Sequence, residues 1–291
     1  MENRLFNRIA FWKKADTNNV LGVYVGVKSL WVYQTTPTVK FQEFPFKSDH
    51  WAIAFADIAE AFGPAKIQLL LSSSFYQIFP ADKPNVDASE IAQALLWSVK
   101  DIVNLPVNQI HLDYFESPIL NNNKVTVVAA DRDMLAAMVQ AALGAHLQIV
   151  GIFVEELAMS NLFEPEPQAR LVIHHCQQQE LLLTVVKEGD VVMQRRVRGF
   201  SELDGVSAQD LSYGVADNLS LEIQRSMDYF ESQLRQAPVA SIDIFVDGAR
   251  SELVKLVSAN FNQPVREVNT KSVGAKMAEL AFAEYARGLA S

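Results

Sequence analysis

The chain of 291 residues has one cysteine, Cys176. A single thiol forms no intramolecular disulfide and supplies no cysteine-rich zinc site. Such scarcity fits a reducing compartment. Glycine (12) and proline (11) are few and scattered, which excludes collagen-like and low-complexity chains. Basic residues are the minority, 25 against 34 acidic, for a net charge of −9. A general nucleic-acid binder carries the opposite balance or a basic stripe, so no nucleic-acid partner is expected. No uncharged apolar run reaches the roughly 18 residues that would span a membrane. What remains is 49% apolar and 20% charged, the balance of a folded globular protein. The length allows one large or two medium domains at roughly 100–200 residues each.

Met1 to Asp16 carries Arg4, Arg8, Lys13 and Lys14 against Glu2, with Leu5, Phe6, Ile9, Phe11 and Trp12 between them. Charges interrupt it too often for the core of a signal peptide. Two readings fit it. It is an arm whose apolar face docks on its own domain, or a short amphipathic helix making weak membrane contact through residues 1–14.

The periodicity then alternates strands and helices. Leu21 to Tyr33 reads as two strands around a tight turn at Gly26, and Thr38 to Phe44 as a third. Asp49 to Phe62 is helical and stops at Gly63-Pro64. Lys66 to Leu71 is a short apolar strand. Asp87 to Val103 is a helix with Ser89 as its N-cap, ended by Pro106. Ile110 to Glu116 and Lys124 to Ala130 are strands around an Asn121-Asn122-Asn123 turn. Arg132 to Leu143 is a helix, Ile149 to Val154 a strand, and Glu155 to Phe163 a helix. Glu164-Pro165-Glu166-Pro167 reads as a stiff linker. Beyond it lie a three-strand meander, one long helix from Ser207 to Gln236, a buried strand at Ile242 to Val246, a helix at Ser251 to Asn260 and a closing helix from Lys271 to Leu289. Two halves, each opening on a strand meander, make α/β the expected class.

Several blocks resemble the PilM family of type IV pilus assembly, whose fold is that of the actin-like ATPases. The resemblance is strongest to the MshI-type proteins of mannose-sensitive haemagglutinin (MSHA) pili. Asn19 to Trp31, NVLGVYVGVKSLW, is similar to the family's strand–turn–strand LGIDIGSSSVK. Leu95 to Tyr114 resembles its helix, proline turn and strand ending in hydrophobic-Asp-Tyr. Lys124 to Phe163 resembles its VLVVAA strand, helix and next strand. Leu221 to Phe230, LEIQRSMDYF, resembles EI-x-RSLDFY. Ile242 to Arg250 falls at the strand and glycine turn that hold adenosine. The resemblance implies an actin-like, ribonuclease H-like fold of two lobes. The first covers residues 1–166, with an inserted subdomain at about 46–121. The second covers 167–291, its last helix packing back on the first.

Actin-like ATPases need a glycine and small hydroxyls in each phosphate turn, and acidic residues for Mg²⁺ and the attacking water. Here the first turn keeps Gly26 and Ser29 but has Val27 and Lys28 in place of hydroxyls, and Tyr24 in place of the acid. The second turn, Asp-x-Gly in the family, is His174-His175-Cys176. The linking Ile-Asp-x-Glu is Ile152-Phe153-Val154-Glu155. The adenosine turn is Val246-Asp247-Gly248-Ala249, with a single glycine. The expected cleft of Gly26, Lys28, Ser29, Gly248 and Ala249 is therefore degenerate, with no cofactor, no catalytic residue and no metal.

The resemblance implies a non-catalytic cytoplasmic scaffold, peripheral at the inner membrane. It would bind the cytoplasmic N-terminal peptide of a PilN-like single-pass membrane protein, with the pilus assembly ATPase as a further candidate partner. Trp97, Leu105, Pro106, Leu112, Tyr114 and Phe115 are the candidate groove residues. The alternatives are a Mg-ATPase of the pilus machine, a sugar-kinase-like phosphotransferase, or a filament former. His174, His175 and Cys176 are poor metal ligands as sequence neighbours, and no base or oxyanion site marks Cys176 as a nucleophile. Arg195, Arg196 and Arg198 read as a solvated strand face. Asp131 reads as a helix cap rather than as half of an acid–base pair with Asp133.

Overall fold

The computed structural model describes residues 19–47, 49–118 and 123–290. The N-terminal segment Met1 to Asp16 and the turn residues Asn121 and Asn122 lie outside the described residues. The chain divides into two compact units, 1–155 with 277–291, and 156–276.

In the first unit, β1 (Val20–Val25), β2 (Ser29–Gln34) and β3 (Lys40–Pro45) form an antiparallel meander, followed by α1 (Trp51–Phe62) and β4 (Ala65–Leu71). Next come β5 (Tyr76–Asp82), α2 (Ile91–Val99), β6 (Ile110–Phe115), β7 (Lys124–Asp131), α3 (Arg132–Gly144) and β8 (Leu147–Val154). The large sheet has the order β3-β2-β1-β4-β8, with β1, β4 and β8 parallel. β4 is buried along nearly its whole length, as a central parallel strand covered on both faces should be. Gln68 is the polar exception. It packs on Gly151, where a Cβ would lie 2.6 Å from its Oε1.

A second, three-stranded antiparallel sheet has the order β5-β7-β6. α2 covers one face, with Ile91 and Leu95 against Val125 and Val127, and Val99 against Ile110 and Ala129. This layer runs from Tyr76 to Asp131, whereas the sequence expectation put the insertion at about 46–121. The difference arises because β4 pairs with β1 in the large sheet and β7 pairs in the small one. Sequence reading found no strand at Tyr76–Asp82. The segment, YQIFPAD, carries Pro80, which a ladder accepts at an edge, and β5 is an edge strand. α2 also differs from expectation: Glu90, not Ser89, occupies its cap position. Asp131 does cap α3, accepting from the N–H groups of Asp133 and Met134 at 2.8 and 3.2 Å.

The second unit begins within the short helix α4 (Glu155–Ala158). It contains β9 (Arg170–His174), β10 (Leu181–Lys187), β11 (Asp190–Val197), α5 (Ala208–Asp210), α6 (Ala216–Asp228), β12 (Ser241–Phe245), α7 (Arg250–Ser258) and β13 (Val265–Glu267). Its sheet has the order β11-β10-β9-β12-β13, with β9, β12 and β13 parallel. The single long helix expected over Ser207 to Gln236 is broken. Gly214 has φ 107° and Tyr213 ψ 32°, a left-handed step that ordinary residues avoid. The last helix, α8 (Val273–Ala290), begins in the second unit and belongs to the first from Met277 onward. Within the first unit it presses on β1: a Cβ at Gly22 would lie 2.1 Å from the Ala278 carbonyl oxygen. Among the described residues, no helix is long and apolar enough to cross a membrane.

Candidate functional site

The β1–β2 turn is a tight hairpin in which the Gly26 N–H donates to Ser29 O at 3.0 Å. A Cβ at Gly26 would sit 2.9 Å from that same oxygen, so the turn needs glycine. Lys28 is exposed at its tip. Its carbonyl accepts from the Phe46 N–H at 2.7 Å, which ties the turn to the chain after β3. Gly26, Lys28 and Ser29 are thus brought together. Tyr24 is buried two residues earlier, and its hydroxyl donates to Glu155 Oε1 at 2.8 Å. Glu155 is fully buried and its N–H donates to the Tyr76 hydroxyl at 3.3 Å. Glu155, the acidic residue of Ile152-Phe153-Val154-Glu155, is therefore engaged by the Tyr24 hydroxyl. Phe153 is buried in β8.

In the second unit, β9 ends at His174, with His175 and Cys176 following. The His174 Nε2 lies 3.3 Å from Cys176 Sγ, and its ring lies 5.0 Å from that of Phe245. Burial, reinforced by Arg196 and His175, pushes the His174 pKa well below the usual imidazole range. The His175 side chain is fully buried, with the Ser201 and Gln179 backbone near its ring but no well-formed hydrogen bond to either ring nitrogen among the described residues. Its Nδ1 is 3.9 Å from Asp204 Oδ1. Burial lowers its pKa too, against the pull of Asp204 and Asp247. Among the described residues, no group of three His, Cys, Asp or Glu side chains is placed to hold a metal.

The turn after β12 is filled by the chain itself. Gly248 has φ 85°, and a Cβ there would lie 2.3 Å from the Asp204 carbonyl oxygen. Ala249 is the cap residue of α7. Arg250 donates to Val246 O at 2.7 Å, Val268 O at 3.1 Å and Thr270 O at 3.3 Å. The Asp247 carboxylate accepts from the Val273 N–H at 3.0 Å, which caps α8. Its pKa is raised by burial. Neither Arg250 nor the Asp247 cap was singled out from sequence. The Gly248-Ala249-Arg250 step into a helix was visible, but the carbonyls it serves are up to 20 residues away.

The candidate groove residues separate. Leu112 and Tyr114 pack on the α2 side of the small sheet, and Leu105 joins the neighbouring cluster around Val99 and Ile110. Phe115 points to the opposite face, as strand alternation requires. Pro106 stands exposed at the start of the turn into β6. Trp97 is 58% exposed on the outer side of α2, with the Lys100 ammonium 5.7 Å from its ring centre. Of the three arginines expected on a solvated face, Arg195 and Arg198 are exposed and Arg196 is not. Arg196 is largely buried and pairs with the buried Glu156 at 2.6 Å, and Arg195 pairs with Glu222 at 2.6 Å. Arg195 and Arg198 are surface cations, their side chains 41% and 93% exposed. Pairing drew Arg196 inward, because the buried Glu156 requires a counter-charge.

No family model matches the chain. No curated protein matches it in sequence. Solved structures do match it in fold. The chain in a PilM–PilN type IV pilus biogenesis complex superposes with a TM-score of 0.64 at 17% identity, over 93% of this chain and 98% of that one. The cytoplasmic domain of EpsL, an inner-membrane component of the type II secretion system of Vibrio cholerae, gives 0.55 at 14% identity, over 91% and 94%. A Bacteroides thetaiotaomicron protein of unknown function with an actin-like ATPase fold gives 0.51 at 11% identity, over 90% and 95%. The chain has the actin-like fold. The Gly26 hairpin lies in the first unit, and the His174 and Gly248 turns both lie in the second.

Proposed function

We propose that the chain is a non-catalytic scaffold in the inner-membrane platform of a type IV pilus, of the MSHA type. In this reading it lies in the cytoplasm against the membrane and holds the cytoplasmic N-terminal peptide of a single-pass partner with a PilN-like role. The pilus assembly ATPase is a second partner.

The observation that carries the non-catalytic part is the bond from the Tyr24 hydroxyl to Glu155. A metal-positioning acid has been replaced, and the remaining carboxylate is buried under the replacement. Two further features support it. The second turn presents imidazoles held neutral by burial where a carboxylate and glycine would be needed. The Gly248 turn is packed by Asp204 and braced by Arg250. The partner part is supported by the fold likeness to the chain of a PilM–PilN complex.

Titration calorimetry with Mg-ATP tests the first part, and the expected result is no binding heat. A micromolar dissociation constant would overturn it. Synthetic peptides from the cytoplasmic N-termini of neighbouring membrane proteins test the second, read by Trp97 fluorescence. An extended peptide held by apolar pockets and backbone hydrogen bonds should bind with little salt dependence. Failure of every such peptide, and of the full-length membrane partners to co-purify, would remove the scaffold assignment.

A further inference from the structure

A pocket of about 270 Å³ opens in the second unit at the amino ends of β9 and β12. The His174 and Gly248 turns lie at the carboxyl ends of the same strands, so the pocket is separate from the expected nucleotide cleft. The buried Phe230 and Ala169 form its inner lining with Ala240, and Pro167, Ala237 and Pro238, all exposed, form its mouth. The walls are tied together. The Ala240 N–H donates to Ala169 O at 2.8 Å, and the Gln236 N–H to Phe230 O at 3.3 Å. Behind the mouth, the Glu188 N–H donates to Glu166 O at 2.8 Å, and a Cβ at Gly189 would lie 3.2 Å from Pro165 Cγ. The linker that ends in Pro167 is thus pinned to the β10–β11 hairpin. Lys187, half-buried at the end of β10, is the one charged residue of the lining. Its ammonium has no hydrogen-bond or ion-pair partner among the described residues, and neither Glu166 nor Glu188 pairs with it. The pocket is therefore apolar at its inner end and carries one unmatched positive charge.

We propose that this pocket binds a small aromatic monocarboxylate, its ring among Phe230 and the prolines and its carboxylate on the Lys187 ammonium. Taking the ring out of water supplies the driving force, and a phenyl ring gains further by packing on another. An ammonium is a point charge that suits a single carboxylate. A phosphate monoester brings close to two negative charges and three strong acceptors, and the lining offers one cation for them. The cavity falls below the roughly 300–1,000 Å³ of drug-sized sites, which limits the ligand to about ten non-hydrogen atoms. The bonds across the walls hold the pocket in shape before the ligand arrives, so little ordering entropy remains to be lost on binding.

Titration of the whole chain with phenylacetate, read by calorimetry and by backbone amide shifts, decides the matter. Saturable binding is expected with a dissociation constant of about 1 mM or tighter, as a ligand of this size gives, with shifts at Ala169, Lys187 and Ala240. Lys187→Gln should weaken it about tenfold, as loss of one charge-assisted contact would give. Phenylacetamide has the same shape without the charge, and should bind the unaltered chain about tenfold more weakly than phenylacetate. That comparison needs no variant at all. No saturation with phenylacetate overturns the proposal. So does binding unchanged in Lys187→Gln, or phenylacetamide binding as tightly as the acid. A short peptide ending in phenylalanine that binds more tightly than phenylacetate also overturns it, and assigns the pocket to a chain terminus instead.

Discussion

The Tyr24 hydroxyl and Glu155 Oε1 are 2.8 Å apart and 131 positions apart in sequence. The bond joins β1 to Glu155, the last residue of the first of the two segments that make up the first unit. Hydrogen bonds to buried charged groups contribute about 1.5–3 kcal/mol. Tyr24→Phe removes the donor and should destabilise by that amount. Glu155→Gln, which keeps an acceptor for the hydroxyl, should cost less. Urea midpoints at constant m-value give both numbers. Equal losses would show that Tyr24 does not serve Glu155.

Arg196 and Glu156 test a second buried pair. Removing the cation alone, as Arg196→Met, strands a carboxylate that is 1% exposed and should cost about 3–5 kcal/mol. The double variant Arg196→Met with Glu156→Leu should recover most of that loss, since an apolar replacement of both partners leaves no charge uncompensated. Thermal denaturation of the two single variants and the double closes the cycle.

Acid should unfold the protein earlier than a chain without buried imidazoles. His174, His175 and His111 all have folded pKa values below the ordinary 6.5, burial being the first cause for each. Above 6.5 both folded and unfolded chains hold these rings neutral, and the stability is fully present. Below it the unfolded chain takes up protons that the folded chain refuses, so stability falls as pH falls, by up to about 1.4 kcal/mol per pH unit for each ring. His174→Gln should flatten the profile between pH 6.5 and 5. A slope unchanged by that substitution would assign the effect to other groups.

Glycine substitutions should separate by what lies beside them. Gly22→Ala meets the backbone of α8 at 2.1 Å and should destabilise by more than about 3 kcal/mol. Gly144→Ala, at the end of α3 with nothing within 4 Å, should be neutral or stabilising by up to about 1 kcal/mol. Melting temperatures of the two variants provide the comparison.

How much of this was legible depends on range. The hairpin at Gly26, the apolar run of β4 and the Asp131 cap are local signals, and each appears in the structure where it was read. β5 was hidden by Pro80, whose meaning depends on the strand being at an edge. The break at Gly214 was hidden because one glycine inside a good helical pattern is usually tolerated. The turns that depart from the expected nucleotide pattern could be named from sequence, but not the contacts made around them. Nothing near Gly248 announces Asp204, and nothing near Tyr24 announces Glu155. The candidate groove residues were chosen as neighbours along the chain, and alternation in β6 then sent Phe115 to one face of the sheet and Tyr114 to the other.

The last helix has a practical bearing on dissection. Its first N–H is capped by Asp247 of the second unit, while its later turns belong to the first and pack against Gly22, where a side chain would collide with them. A fragment cut at residue 155 would lack that helix and expose the apolar surface of β1. The first unit can be isolated intact only by rejoining its two segments, for instance by fusing the final helix ahead of Asn19 through a flexible linker.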